Sequence, residues 1–164
     1  MSAAAIDTAM FRRVLGSYPT GVCAITALDP DNRPVGMVVG SFTSVSLDPP
    51  LVGFLPDKKS STWPVIEQAG RFAVNVLASD QQDVCRQVAA KGPDKFAGIA
   101  HAVSEHGLPV IADVIARIEC VLDTVVDAGD HWFVLGRVLG LEVMRDGDPM
   151  LFLKGRYGGF AELG

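Results

Sequence analysis

Apolar and polar residues alternate along the C-terminal third of the chain. Between residues 115 and 126, apolar positions from Ala116 to Leu122 alternate with positions that include Arg117 and Glu119. A period of two residues is typical of a strand with one buried face. Further strands are predicted at residues 131–139, 141–145 and 150–154.

The earlier part of the chain combines short strands with short helices. A first helix is predicted after Asp7, which can cap it, and its apolar stripe consists of Met10, Phe11, Val14 and Leu15. More strands are predicted at residues 21–28, 36–46, 51–55 and 71–77. A second helix should end at Gly70, and a third should follow a capping box of Ser79 and Gln82 and run to about Ala90. Residues 91–106 should form a loop with short structured pieces. Six or more strands with short turns predict an antiparallel barrel or sandwich rather than a doubly wound parallel sheet.

Composition narrows the class of protein. A length of 164 residues favours one domain over residues 1–164, and 49% hydrophobic with 20% charged residues excludes a disordered chain. A net charge of −5 disfavours binding to nucleic acid. The sequence has no apolar run long enough to span a membrane and no signal peptide, so we expect a cytoplasmic protein. Three cysteines without a C-x-x-C motif predict neither disulfides nor a zinc site.

Two neighbouring segments carry candidate binding chemistry. The segment Gly40–Ser46 places hydroxyl groups on both faces of a strand, where they either form a Ser/Thr-rich turn or line a ligand site. The segment Lys58–Thr62 precedes a helix and combines two lysines with three hydroxyls. It is either an ordinary helix cap with solvated lysines or a cradle for a phosphate group. Because one short strand separates the segments, both can face one ligand that carries a polyol chain and a phosphate.

Two further segments contain candidate site residues. His131 opens a strand after a turn, where it is either a solvated side chain or a group that holds a substrate or exchanges a proton. The closing segment KGRYGGF contains Arg156, which can pair with an anion, and Tyr157, which can stack on a ring. The alternative for this segment is a terminal strand with a flexible glycine tail. His101 and His106 form only a weak candidate for metal binding, and we expect no metal site.

Together these segments resemble the flavin reductase domain family, the small reductase components of two-component monooxygenases. The matching pieces occur in the family's order and span nearly the whole chain: FRRVLGSYPTGVCAIT, GMVVGSFTSVSLDPPLV, KKSSTWPVI, GRFAVNVL, DKF, GDHWFVLGRV and PMLFLKGRYG. The resemblance implies a mainly β fold with flanking helices, a six-stranded antiparallel split barrel of the FMN-binding type, built as a homodimer.

The resemblance also implies roles for individual residues. The flavin ring, its ribityl chain and its phosphate would be bound by Met37, Val38, Val39, Gly40, Ser41, Phe42, Thr43, Ser44, Lys58, Lys59, Ser60, Ser61, Thr62 and Phe96. The nicotinamide would be bound by His131, Arg156 and Tyr157, and His131 is the candidate catalytic residue.

The expected activity is therefore that of an NAD(P)H:flavin oxidoreductase, which reduces FMN (or FAD) and supplies it to a partner monooxygenase. Protein side chains accept a hydride poorly, so a flavin must supply that chemistry. Many relatives carry Asn where this chain has Gly40, which favours an exchangeable flavin. The alternatives are an oxidoreductase with tightly bound FMN that acts on another substrate, and a flavin carrier without turnover. The choices between FMN and FAD and between NADH and NADPH stay open.

Overall fold

The computed structural model describes residues 4–164, which form a mainly β structure with three short helices. The helices are α1 (Thr8–Leu15), α2 (Trp63–Ala69) and α3 (Gln82–Ala89). Asp7 caps α1 as expected, because its carboxylate accepts a hydrogen bond from the amide of Ala9 at 3.0 Å. Gly70 ends α2 with a φ of 70°, a left-handed conformation that glycine adopts without strain.

Seven antiparallel strands form the main sheet, in the order β3-β2-β6-β9-β10-β5-β4. Their bounds are β2 (Cys23–Leu28), β3 (Pro34–Val39), β4 (Thr43–Ser46), β5 (Leu51–Phe54), β6 (Arg71–Val76), β9 (Ala116–Ala128) and β10 (His131–Val143). Two small sheets accompany it and consist of β1 (Thr20–Gly21) with β11 (Leu151–Leu153) and β12 (Arg156–Gly158), and of β7 (His101–Val103) with β8 (Pro109–Ile111).

The main sheet must curl, because its two edge strands are consecutive in the chain. Only Gly40–Phe42 connect β3 to β4. In a flat sheet with strands about 4.8 Å apart, the two edges would be separated by roughly 29 Å. A three-residue connection reaches at most about 14 Å. The sheet therefore bends until β3 and β4 approach each other without pairing, which is the expected split barrel.

The core of the barrel is built around aromatic side chains. The Phe54 ring packs edge-on against Phe72 and Trp63, with centroids 5.1 and 5.8 Å away. Gly136 on β10 makes room for this cluster, since a Cβ there would lie 2.4 Å from Cζ of Phe72. A second cluster lies outside the barrel, where Cys85 and Val88 of α3 pack against Leu77 and Phe96.

Three details of the expected elements differ in the structure. The predicted strand at residues 36–46 is two strands, because the chain crosses between sheet edges at Gly40–Phe42, and this gives seven strands where six were expected. The two strands predicted at residues 131–145 are one continuous strand, β10, which passes Gly140 with a register shift. The predicted capping box is wrong: α3 begins at Gln82, and Gln81 rather than Ser79 accepts a bond, from the amide of Ala78 at 3.0 Å.

No helix within residues 4–164 is long and apolar enough to cross a membrane. In the same range, no three His, Cys, Asp or Glu side chains are grouped closely enough to hold a metal ion.

Candidate functional site

Four adjoining cavities form a trough, and residues of β3 line three of them. The lysine cavity, of about 390 Å³, lies between β3 and the end of α3 and is lined by Lys59, Ser60, Ser61, Thr62, Lys91, Lys95 and five apolar residues. The glycine cavity, of about 240 Å³, adjoins it at Val38 and Ala89 and extends to Gly40. The Phe96 cavity, of about 460 Å³, shares Ser61, Thr62 and Lys95 with the lysine cavity. The Arg156 cavity, of about 480 Å³, shares Tyr157 with the glycine cavity.

The lysine cavity is strongly positive in a protein whose net charge is −5. Lys59, Lys91 and Lys95 line it, and no Asp or Glu does. Uncompensated positive charge in a concave site attracts anions and holds them in place. The lining therefore favours an anionic ligand with hydrogen-bond acceptors.

Ser60 shapes one wall of the lysine cavity. Its Oγ accepts hydrogen bonds from the amides of Thr62 and Trp63, at 3.2 and 3.1 Å, and so performs the capping that Thr62 does not. Ser61 and Thr62 line both the lysine cavity and the Phe96 cavity. Four of the five residues expected around a phosphate, Lys59 to Thr62, are thus brought together.

Lys58 does not line the lysine cavity. Its Nζ lies 2.8 Å from Oδ2 of Asp127 and 4.4 Å from the centroid of the Trp132 ring. An ammonium paired with a carboxylate already has a counter-charge, and the cation–π contact adds a further attraction at the same place. Lys95, which the sequence reasoning passed over although it stands inside the DKF motif, lines the cavity instead.

The residues between β3 and β4 have separate environments. Ser41 Oγ accepts a hydrogen bond from the amide of Leu55 at 2.9 Å, and so ties the crossing segment to the end of β5. Phe42 packs against the core, and Thr43 and Ser44 are exposed. Gly40 lies in the glycine cavity, where a Cβ would lie 2.7 Å from Oγ1 of Thr20. Of this segment, the structure therefore places Gly40 in the trough, together with Met37, Val38 and Val39 of β3.

His131 is not among the lining residues of the four cavities. Its backbone pairs with Asp57, two residues after Leu55, whose amide donates to Ser41 of the crossing segment. The imidazole Nδ1 donates to Asp130 Oδ1 at 2.7 Å, and this bond lowers the pKa of the Asp130 carboxyl. The histidine side chain is 39% exposed, so a ligand can reach it.

Tyr157 forms the wall between the glycine cavity and the Arg156 cavity. Its ring lies 5.3 Å from the Phe152 ring, and its hydroxyl oxygen accepts a hydrogen bond from the Cys85 thiol. Arg156 lines only the Arg156 cavity. The structure thus places these two expected nicotinamide residues at the end of the trough beyond Gly40.

Phe96 is only 6% exposed and packs against the start of β3 at Gly36. Its ring carbons would lie 3.1 Å from a Cβ at Gly36, and the ring packs edge-on against His101 with centroids 5.6 Å apart. It forms part of the wall of the Phe96 cavity, which lies beyond the lysine cavity from Gly40.

Comparison with known proteins decides the family. Residues 15–161 match the model of the flavin reductase like domain. The chain belongs to this family. It is 55% identical to a flavin reductase of Pseudomonas putida over 159 residues, which is 97% of this chain and 94% of that protein. It is also 47% identical over 159 residues, 97% of this chain and 81% of the other, to HsaB of Rhodococcus jostii, the reductase subunit of a flavin-dependent monooxygenase.

The flavin reductase fold is also found among solved structures. Nitrilotriacetate monooxygenase component B of Mycobacterium thermoresistibile superposes with a TM-score of 0.91 and 46% sequence identity, covering 97% of this chain and 89% of that one. These findings confirm the family, the mainly β split-barrel fold and the flavin reductase activity that the sequence motifs predict.

Proposed function

We propose that this flavin reductase binds FMN along β3, with the phosphate in the lysine cavity and the ring toward Gly40. The observation that carries the proposal is the lining of the lysine cavity: three lysines, three hydroxyls and no carboxylate. Phosphate is the anion that such a donor set favours, since charge-assisted hydrogen bonds are the strongest ones available to it.

The shape of the trough supports the same orientation. The lysine cavity adjoins the glycine cavity at Val38 and Ala89, and the lining of the glycine cavity is mainly apolar. A flavin has the matching polarity, with a charged phosphate at one end and a flat, largely apolar ring at the other. Gly40 lines the glycine cavity at the ring end of the flavin. Because glycine has no side chain of its own, the backbone at this position is accessible to the ring.

The chain supplies binding and orientation, and a bound flavin supplies the capacity to accept a hydride. Tyr157 and Arg156 are placed to hold the nicotinamide donor, because Tyr157 separates the glycine cavity from the Arg156 cavity. His131 acts as a positioning residue. Its Nδ1–H donates a hydrogen bond to Asp130, which leaves Nε2 free to contact a ligand. NADH and NADPH are both candidate donors, and the cations Lys154 and Arg156 line the cavity that either would enter.

FAD is the second candidate flavin, and the Phe96 cavity is the observation that favours it. That cavity measures about 460 Å³ and begins at Ser61, Thr62 and Lys95, where the phosphate would lie. It therefore offers space for a group attached beyond the first phosphate.

The partner proteins are also part of the proposal. A flavin monooxygenase component would receive the reduced flavin, as the name of the R. jostii relative indicates for that protein. A homodimer would cover the exposed apolar face of α1, where no residue is buried. We place the enzyme in the cytoplasm, where its three free cysteines would stay reduced.

The test is to mix the purified protein with FMN or FAD and follow the oxidation of NADH or NADPH by absorbance. Rapid oxidation that depends on free flavin is the expected result. A yellow protein that keeps its flavin through gel filtration and ignores added FMN would instead be the enzyme with tightly bound FMN. Flavin binding without oxidation of NADH or NADPH would indicate that the protein is a flavin carrier without turnover.

A further inference from the structure

Lys95 carries a positive charge that the protein itself does not neutralise. Its Nζ donates to the carbonyl oxygen of Gly36 at 3.2 Å and to Oγ1 of Thr62 at 3.4 Å, both of them uncharged acceptors. Within residues 4–164, no carboxylate forms an ion pair with it. An ammonium has three N–H donors, so one remains for another partner.

Partial burial makes this unneutralised charge unfavourable. Burial lowers the pKa of the Lys95 ammonium, because water is partly removed from the charged form. A buried charge without a counter-charge costs free energy unless a ligand supplies one. The fold nevertheless holds this ammonium in place with two hydrogen bonds, which indicates a binding role.

The position of Lys95 identifies the ligand group that it would contact. It lines both the lysine cavity and the Phe96 cavity, and the two residues that share this position, Ser61 and Thr62, are hydroxyl donors. An anion at the boundary between the cavities would therefore receive one charged and two neutral hydrogen bonds. This boundary is also where the phosphate of a flavin in the proposed orientation would lie.

The other nearby lysines are less suited to this contact. Lys58 already has a counter-charge in Asp127 and a cation–π contact with Trp132. Lys59 and Lys91 are exposed, so water screens their charges. Of the three lysines that line the lysine cavity, Lys95 is the half-buried one, and an interaction with a charge gains strength as water is excluded.

We propose that Lys95 is the principal charged contact of the flavin phosphate and reaches both phosphates when the flavin is FAD. This inference rests on the proposed orientation of the flavin along β3. It gives the lysine of the DKF segment a direct binding role and removes Lys58 from the phosphate site.

The test compares riboflavin, FMN and FAD, which carry no, one and two phosphates, by quenching of flavin fluorescence. Lys95→Met keeps most of the length of the side chain and removes its charge. We expect it to raise the Kd for FMN and FAD about tenfold or more, since a hydrogen bond to a charged group is lost. The Kd for riboflavin should change by less than about twofold, because an interaction confined to the phosphate is absent there.

Two further variants control for charge and for folding. Lys95→Arg should keep the FMN Kd within about threefold of the wild type, because the cation remains. Arg137→Gln removes one positive charge from the ion pair between Arg137 of β10 and Asp123 of β9, and it should leave all three affinities unchanged. Thermal unfolding of each variant without flavin shows whether the fold is intact.

Three outcomes would overturn the inference in different ways. Equal loss of riboflavin and FMN binding in Lys95→Met would make the lysine a structural link between Gly36 and Thr62. An unchanged FMN Kd would place the phosphate elsewhere. A wild-type protein that binds none of the three flavins would overturn the proposed function together with the inference.

Discussion

The hydroxyl oxygen of Tyr157 lies 3.5 Å from Sγ of Cys85, and this contact joins β12 to the buried face of α3 across 72 positions of sequence. Cys85 is fully buried, and Tyr157 is 37% exposed. The thiol thus anchors the inner end of a side chain whose outer face lines two cavities of the trough. The cysteine acts here as a positioning residue for the proposed nicotinamide site.

Cys85→Ala should therefore weaken the nicotinamide interaction more than flavin binding. Loss of one hydrogen bond of about 1 kcal/mol allows the Tyr157 ring to move, so we expect KM for the nicotinamide to rise about fivefold. The FMN Kd, measured by fluorescence quenching, should stay close to the wild-type value. Cys85→Ser keeps a donor and should recover most of the KM. Parallel rises in KM and Kd would show that the thiol serves only the packing of α3.

Substitutions at Gly40 and Thr20 should affect each other, because the Thr20 side chain leaves no room for a side chain at Gly40. A Cβ at Gly40 would lie 2.7 Å from Oγ1 of Thr20 and 3.4 Å from its Cβ. Gly40→Ala should thus lower the free energy of unfolding by about 1–2 kcal/mol, as overpacking does. Thr20→Ala removes the hydroxyl, which is buried without a hydrogen-bond partner. The double variant should then be more stable than Gly40→Ala alone, as measured by urea unfolding, and strictly additive effects would contradict the coupling.

Much of this fold follows from the sequence because its patterns are local. Alternation along residues 116–122 reflects a strand with one face in the core, and Asp7 caps α1 through a contact two residues away. The break at Gly40–Phe42 could not be found in this way. It exists because β3 and β4 pair with different partners, β2 and β5, and such pairings are not encoded in the intervening residues.

The candidate site, like the fold, is predictable from the sequence where its pattern is local and not where it depends on distant residues. The hydroxyl and lysine run at residues 58–62 is visible in the sequence, and four of its five members line the lysine cavity. The orientation of Lys58 depends on Asp127 and Trp132, which are about 70 positions away and meet it because β5 pairs with β10. The contribution of Lys95 likewise depends on Thr62, 33 positions earlier. Only the assembled fold distinguishes the lysine that faces the cavity from the one that faces an aspartate.

His131→Ala should slow turnover more than it weakens flavin binding. The imidazole is 39% exposed, and its Nδ1–H donates a hydrogen bond to Asp130. Loss of a positioning group lowers kcat/KM by about tenfold to a hundredfold. His131→Asn tests whether a smaller hydrogen-bonding group restores part of the rate in steady-state assays with NADH. Equal losses in turnover and in FMN affinity would make the histidine a structural residue.

Asn75 links the main sheet to β8 through a fully buried network. Its Nδ2 donates to Ala24 O and to Thr26 Oγ1, both at 3.0 Å, and its Oδ1 accepts from the amide of Ile111 at 2.9 Å. Asn75→Ala leaves these groups without partners in the core, so we expect a loss of about 2–4 kcal/mol in the free energy of unfolding. Gln68→Ala on the exposed face of α2 is the matched control and should change it by less than about 0.5 kcal/mol. A small effect of Asn75→Ala would mean that water enters and replaces the amide.

The apolar stripe that the sequence predicts on α1 is present, but no other part of residues 4–164 covers it. Met10, Phe11, Val14 and Leu15 are between 46% and 57% exposed, and α1 buries no residue. The helix is held at its end, where the amide of Lys154 donates to Gly16 O at 3.0 Å. An ordered helix with an uncovered apolar face is typical of an interface.

Phe11→Glu should therefore convert the proposed homodimer into a monomer, because a carboxylate would be buried against the apolar face of the partner copy. The measurement is the molar mass in solution by light scattering coupled to gel filtration. Arg12→Gln changes a charged neighbour on the same helix and should leave the dimer intact. If the dimer survives Phe11→Glu, the interface lies on another exposed apolar surface. The strongest candidate is the end of β10, where Leu141 and Val143 are 69% and 72% exposed. A wild-type chain that is monomeric would instead leave α1 free to bind the monooxygenase component.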